Sequence, residues 1–190
     1  PELFSAVGGE IGCAYGYYRC WDLPCTLSGC ADKAFSSLYF SSESSGAAAY
    51  RAMGPRARRL PAIFSHGDRD WITTAVGQPA LVNMWLALND WADDGKANDS
   101  VPREPAQNLR GKDGGADYTR EIYLDAAGCP LVEHWTIAGL AHWYSGAAHP
   151  KGGAAVGPNL RQRQYEFLLA QAATTPPCAK ADYPGSGGRT

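Results

Sequence analysis

The sequence lacks the features that would place it across a membrane or on a nucleic acid. Its longest apolar stretch, Ala80 to Leu88, is broken by Asn83 and falls short of the roughly 20 residues a bilayer-spanning helix needs. The chain opens on Pro1-Glu2-Leu3-Phe4, without the basic and then apolar segments of a signal peptide. Seventeen Lys and Arg stand against nineteen Asp and Glu, a formal net charge of -2, with a pI near 6.1. Nucleic acid and anionic membranes attract basic surfaces, so neither is an expected partner. The six cysteines contain no Cys-x-x-Cys pair, and neither His-x-His nor His-Glu-x-x-His occurs. Both absences argue against a zinc ribbon or a zincin-type metal centre.

What is present suits a globular domain or part of one. The 190 residues are 45% hydrophobic and 19% charged, enough to bury a core. Gly and Pro together make about 18% of the chain, above average usage, so loops and tight turns are expected in quantity. Cys13, Cys20, Cys25 and Cys30 crowd into eighteen residues, and Cys129 and Cys178 bring the count to six. An even number without metal spacing points to disulfides and an oxidising compartment, hence a secreted protein.

The periodicities read as an α/β pattern. Residues 3–12 and 60–65 are short apolar runs ending at Gly or His-Gly, as buried parallel strands do. Residues 13–50 show no clear period and are expected to form a disulfide-held loop or lid. Val76, Ala80, Leu81, Met84, Leu88 and Trp91 form the stripe of an amphipathic helix. The polar stretch 92–117 reads as a long surface loop, and residues 118–138 as a hairpin turning at Ala-Ala-Gly. Asn159 is positioned to cap a helix to about Ala173, with Tyr165, Leu168, Leu169 and Ala172 on one face. Residues 174–190 have linker composition.

Two expected strand ends carry titratable side chains: His66-Gly67-Asp68-Arg69-Asp70, and His142 in Gly-Leu-Ala-His-Trp-Tyr-Ser-Gly. A carboxylate after one strand and an imidazole after a later one are the orienting and base members of a Ser-His-Asp triad. Their order in the chain is that of the α/β-hydrolases.

Four blocks, PELFSAVGGEIGCAYG (1–16), LPAIFSHGDRDWIT (60–73), VEHWTIAGLAHWYSG (132–146) and GPNLRQRQYEFL (157–168), resemble the C-terminal portion of polyhydroxybutyrate-depolymerase-type esterases of the α/β-hydrolase superfamily. The resemblance implies that Asp70 is the triad acid and His142 the triad base. In that family the histidine loop is of the type Gly-x-x-His-x-Trp-x-Gly, whereas here Trp143 follows His142 at once. The nucleophile elbow, Gly-x-Ser-x-Gly, does not occur in the sequence. The nearest run, Ser42-Glu43-Ser44-Ser45-Gly46, lacks the first glycine. The resemblance therefore implies that residues 1–173 are the C-terminal part of a hydrolase domain. The serine and the early strands would belong to a missing N-terminal half, and this chain alone would not turn over substrate.

The implied activity is hydrolysis of carboxylic esters by a secreted serine esterase or depolymerase, with no cofactor and an ester substrate that is small or polymeric. Candidates are polyhydroxyalkanoate, feruloyl or acetyl esters of plant polysaccharide, and small soluble esters. Trp71, Trp143 and Tyr144 lie beside the two candidate catalytic residues and suit the apolar wall of an acyl pocket, or equally a packed core. Two other readings stand beside the esterase. One is a non-catalytic binding or structural chain with a degenerate hydrolase fold. The other is a metallohydrolase using His66, Asp68, Asp70 and His142. Asp68 is expected to make a turn hydrogen bond, and His66 and His134 to be structural. The acidic run Asp90 to Asp99 departs from a calcium-binding loop at Ala92 and Val101.

Overall fold

The computed structural model describes residues 5–10, 14–15, 41–70, 77–148 and 155–172. The elements are β1 (Val7–Glu10), α1 (Ser42–Met53), β2 (Ala62–Gly67), α2 (Gly77–Asp94), β3 (Gln107–Asp113), β4 (Ala116–Leu124), β5 (Pro130–Ile137) and α3 (Leu160–Ala172). The strands form one mixed sheet in the order β1-β2-β5-β4-β3. β1 and β2 pair in parallel, as do β2 and β5; β4 pairs antiparallel with both β5 and β3. No described helix is long and apolar enough to cross a membrane.

Central position explains the apolar runs. All six residues of β2 are buried, because helices cover both faces of the sheet and successive side chains alternate between them. Ala62 and Phe64 join Leu81, Met84 and Leu88 of α2 on one face. Ile63 joins Trp135, Ile137, Leu160 and Phe167 beneath α3 on the other. Entry into β2 is fixed by Asn89 of α2, whose Oδ1 accepts from Leu60 N at 2.7 Å while its Nδ2 donates to Leu60 O at 3.2 Å. A buried amide that satisfies both a donor and an acceptor of one residue aligns the strand with the helix.

The structure changes three expectations. Residues 42–50, read as part of an aperiodic excursion, belong to α1. Ser41 caps that helix by accepting from Ser44 N at 3.2 Å. Its sequence, SESSGAAAYRAM, offers no strong apolar stripe; what it offers is smallness. A Cβ on Gly46 would stand 2.5 Å from the Ala87 Cβ and 2.8 Å from Leu88 N, so α1 lies unusually close to α2. The polar stretch 92–117, read as a loop, contains β3, an edge strand whose residues are nearly all exposed. With solvent on both faces it needs no apolar alternation. In α3 the cap holds, Asn159 Oδ1 accepting from Gln162 N at 3.3 Å. The buried residues, however, are Leu160 and Phe167, whereas Tyr165 and Leu169 are exposed.

Of the six cysteines only Cys129 lies among the described residues. It is 3% exposed and disulfide-bonded, its partner lying outside them. Of the lid expected within 13–50, residues 13 and 16–40 lie outside the described residues, as do Trp71 and the tail 174–190.

Candidate functional site

The parallel strands β1, β2 and β5 end on the same side of the sheet, where Glu10, the last residue of β1, and the loops after β2 and β5 meet. Asp70 follows β2 and His142 follows β5. His142 Nδ1 lies 3.0 Å from Asp70 Oδ1 and 2.9 Å from Oδ2. A carboxylate only accepts, so Nδ1 carries the proton of this bond, and a neutral ring keeps its lone pair on Nε2. The Asp70 side chain is 1% exposed and that of His142 22%. The acid is therefore enclosed while the imidazole reaches solvent.

Backbone contacts lock the two loops together. Asp68 N donates to Ile137 O at 3.1 Å and Arg69 N to Leu140 O at 3.0 Å, while Asp70 N closes the acid loop's own turn on Gly67 O at 3.1 Å. Gly67 is required here, because a Cβ would collide with the Leu140 carbonyl. Asp68, expected in a turn hydrogen bond, accepts from Gly139 N at 2.7 Å; it spans the two loops and leaves His142 to Asp70. Beyond His142, Ser145 N donates to Glu10 Oε2 at the end of β1 at 3.2 Å, and Ser145 Oγ to Pro158 O at 2.8 Å. Burial raises the Glu10 carboxyl above its ordinary range, against the Ser145 N–H and Arg161.

A second imidazole cluster lies within the sheet. His134 Nδ1 donates to Glu121 Oε2 at 2.9 Å, and His134 Nε2 lies 3.2 Å from His66 Nδ1. Because Glu121 only accepts, the consistent arrangement has His66 Nδ1–H donating to His134 Nε2. The rings stack with centroids 5.1 Å apart and planes 8° from parallel. Burial, and then His134, push His66 down to about 4, against the opposing influence of Asp70, Asp68 and Glu121. The hydrogen bond from His134 in turn holds Glu121 below the usual carboxylate range.

His66, Asp68, Asp70 and His142 thus do not converge as one ligand set: each faces a different partner, except Asp70 and His142, which face each other. Trp143 is half-buried against the α3-side core and meets Tyr144 edge-on at 5.5 Å. Tyr144 is 46% exposed. The acidic run is organised by Asp90, whose carboxylate accepts from the backbone of Asn98, Asp99 and Val101 and from the Ser100 hydroxyl. Burial acts to raise Asp90, but the Ser100 hydroxyl and those N–H groups outweigh it and hold the carboxyl below its ordinary range. Sequence reasoning passed over Glu10 and Glu121, whose contacts span 135 and 13 residues. The one signal for Glu10 was its position at a strand end beside the other two.

The chain matches no protein-family model and no curated protein.

Proposed function

We propose that this chain carries the acid and base of a secreted serine-type carboxylic ester hydrolase. The observation that carries the reading is the contact of His142 Nδ1 with the enclosed Asp70 carboxylate at 2.9 Å, beyond the ends of adjacent parallel strands. Asp70 fixes the tautomer and stabilises the imidazolium; His142 Nε2 takes the proton of a serine hydroxyl as its oxygen attacks the ester carbonyl. The proton then passes to the departing alcohol, leaving an acyl-enzyme. Water loses a proton to the same nitrogen, attacks the acyl carbon, and releases the acid and the serine. In this reading the serine comes from a segment outside these 190 residues, and the α/β sheet described here is the C-terminal part of the hydrolase domain. Tyr144, and Trp143 behind it, would face the acyl group. The bonded Cys129 supports an oxidising compartment.

A non-catalytic chain with a hydrolase-like sheet is the second reading, favoured by the absence of Gly-x-Ser-x-Gly. A serine-reactive fluorophosphonate separates the two. Under the hydrolase reading the adduct appears on a larger parent or a partner chain, and His142→Ala in that complete enzyme abolishes ester hydrolysis. Hydrolysis retained at the wild-type rate would sink the assignment. An adduct on the 20.3 kDa chain itself would place the nucleophile here instead.

A further inference from the structure

Among the backbone holds on the loop that carries His142, two are made to carboxylates, three residues before it and three after. Before it, Gly139 N–H donates to Asp68 of the acid loop. After it, Ser145 N–H donates to Glu10, which comes from neither of the two loops but from the end of the outer parallel strand. Ser145 is itself 1% exposed and Glu10 half-buried, so this second hold is partly shielded from water, where a hydrogen bond to a carboxylate is strengthened and its loss is felt.

We propose that Glu10 is a positioning residue for His142: its carboxylate fixes the far side of the loop, so that the imidazole stays on Asp70. The argument is geometric. Without the Ser145 hold, the segment following His142 keeps its anchors at Gly146 N to Val156 O, 2.8 Å, and at Ser145 Oγ to Pro158 O. Both of those tie it to residues 155–158, and neither ties it to the sheet. Together with the packing of Trp143 on the α3-side core, Glu10 references this side of the loop to the parallel strands that Asp70 and His142 follow. Among the described residues, Arg161, in the first turn of α3, is the charged side chain that acts on this carboxylate. It favours the ionised form, which accepts the Ser145 N–H more strongly than the protonated form does.

The inference rests on His142–Asp70 being the working pair, but its test does not require turnover. In the 190-residue chain labelled with nitrogen-15, the Asp70-bonded Nδ1–H of His142 gives a downfield imidazole signal whose exchange with water can be timed. Glu10→Ala should speed that exchange about fivefold or more, the scale of losing one charge-assisted hydrogen bond. Glu10→Gln, which keeps an acceptor oxygen, should return it to within about twofold of wild type. In the wild-type chain the Ser145 amide should shift as Glu10 titrates, above the usual glutamate range, and in Glu10→Gln that shift should vanish. An unchanged His142 signal in Glu10→Ala overturns the proposal. Should Glu10→Ala not fold, a Ser145 amide indifferent to Glu10 titration overturns it equally. Absence of a fluorophosphonate adduct would count against the hydrolase reading while leaving this imidazole signal intact, so the two failures are distinguishable.

Discussion

His142 meets Asp70 beyond the strand ends, whereas His134 meets Glu121 within the sheet, and the two contacts have the same length, 2.9 Å. In both, a carboxylate accepts from Nδ1. The difference lies on the other side of each ring. His134 commits Nε2 to His66, and its side chain is 6% exposed; the His142 side chain is 22% exposed beside the half-exposed Tyr144. The exposures are also reversed between partners. In the loop pair the carboxylate is enclosed at 1%, and in the sheet pair the carboxylate is the open member at 27%. An enclosed acid with an open base leaves the second ring nitrogen facing outward; an enclosed ring with an open acid fixes the ring in place. The lesson is that a histidine–carboxylate distance identifies a pair, and the surroundings of the second nitrogen decide whether that pair can move a proton to anything else.

The most severe way to break this comparison is at the acid. Under the hydrolase reading, Asp70→Asn in the complete enzyme should lower kcat by roughly 10³ to 10⁴, because an amide permits the wrong imidazole tautomer. His66→Gln should cost less than about tenfold, since its ring is a structural neighbour of the site. Equal losses in ester hydrolysis would erase the distinction between the pairs.

Stability against pH sharpens it next. Folded His66 gives up its proton near 4, against an ordinary value of 6.5. Between those values the unfolded chain binds more protons, so stability rises with pH across the window. That stability is complete above about 6.5 and is lost progressively as pH falls toward about 4, by roughly 3 kcal/mol in all. Urea unfolding midpoints should therefore fall steeply with acid in the wild-type chain and less so in His66→Gln. Parallel profiles would show that the buried pair does not govern acid stability.

The smallest effect concerns the open side of His142. Under the same hydrolase reading, Tyr144→Ala should raise KM about two- to fivefold with kcat nearly unchanged, as for a wall residue that binds ground and transition states alike. A fall in kcat without a change in KM would move Tyr144 from the wall into the positioning of the base.

Much of this arrangement is legible in the sequence. The strand ends at Gly67 and Ile137 announce themselves through apolar runs halted by glycine and titratable residues, and the choice of Asp70 over Asp68 followed from family resemblance. The amphipathic helix and the hairpin carry their periods openly. β3 does not, because both its faces meet water and nothing constrains its pattern. α1 does not, because Gly46, Ala47 and Ala49 bury through smallness rather than bulk. In α3, Tyr165 and Leu169 mimic a buried stripe that Leu160 and Phe167 supply. The His66–His134 contact was beyond reach because it depends on register. Phe64 is paired with His134, and only that alignment brings the two rings together across neighbouring strands.

The pairing of β2 directly with β5, around the intervening α2, β3 and β4, has a consequence for how the molecule assembles. Asp70 and His142 are 72 residues apart in the chain, so their bond closes one of the longest loops in the sheet and cannot exist in any local fragment of it. The chain entropy of that closure must be overcome before the contact forms. The Asp70–His142 bond therefore reports on the folded sheet as a whole. During refolding, hydrogen-exchange pulse labelling should find the Asp68 and Arg69 amides, which donate across to the β5 side, protected only after those of α2. Earlier protection there would show that the two loops dock before the elements between them are formed.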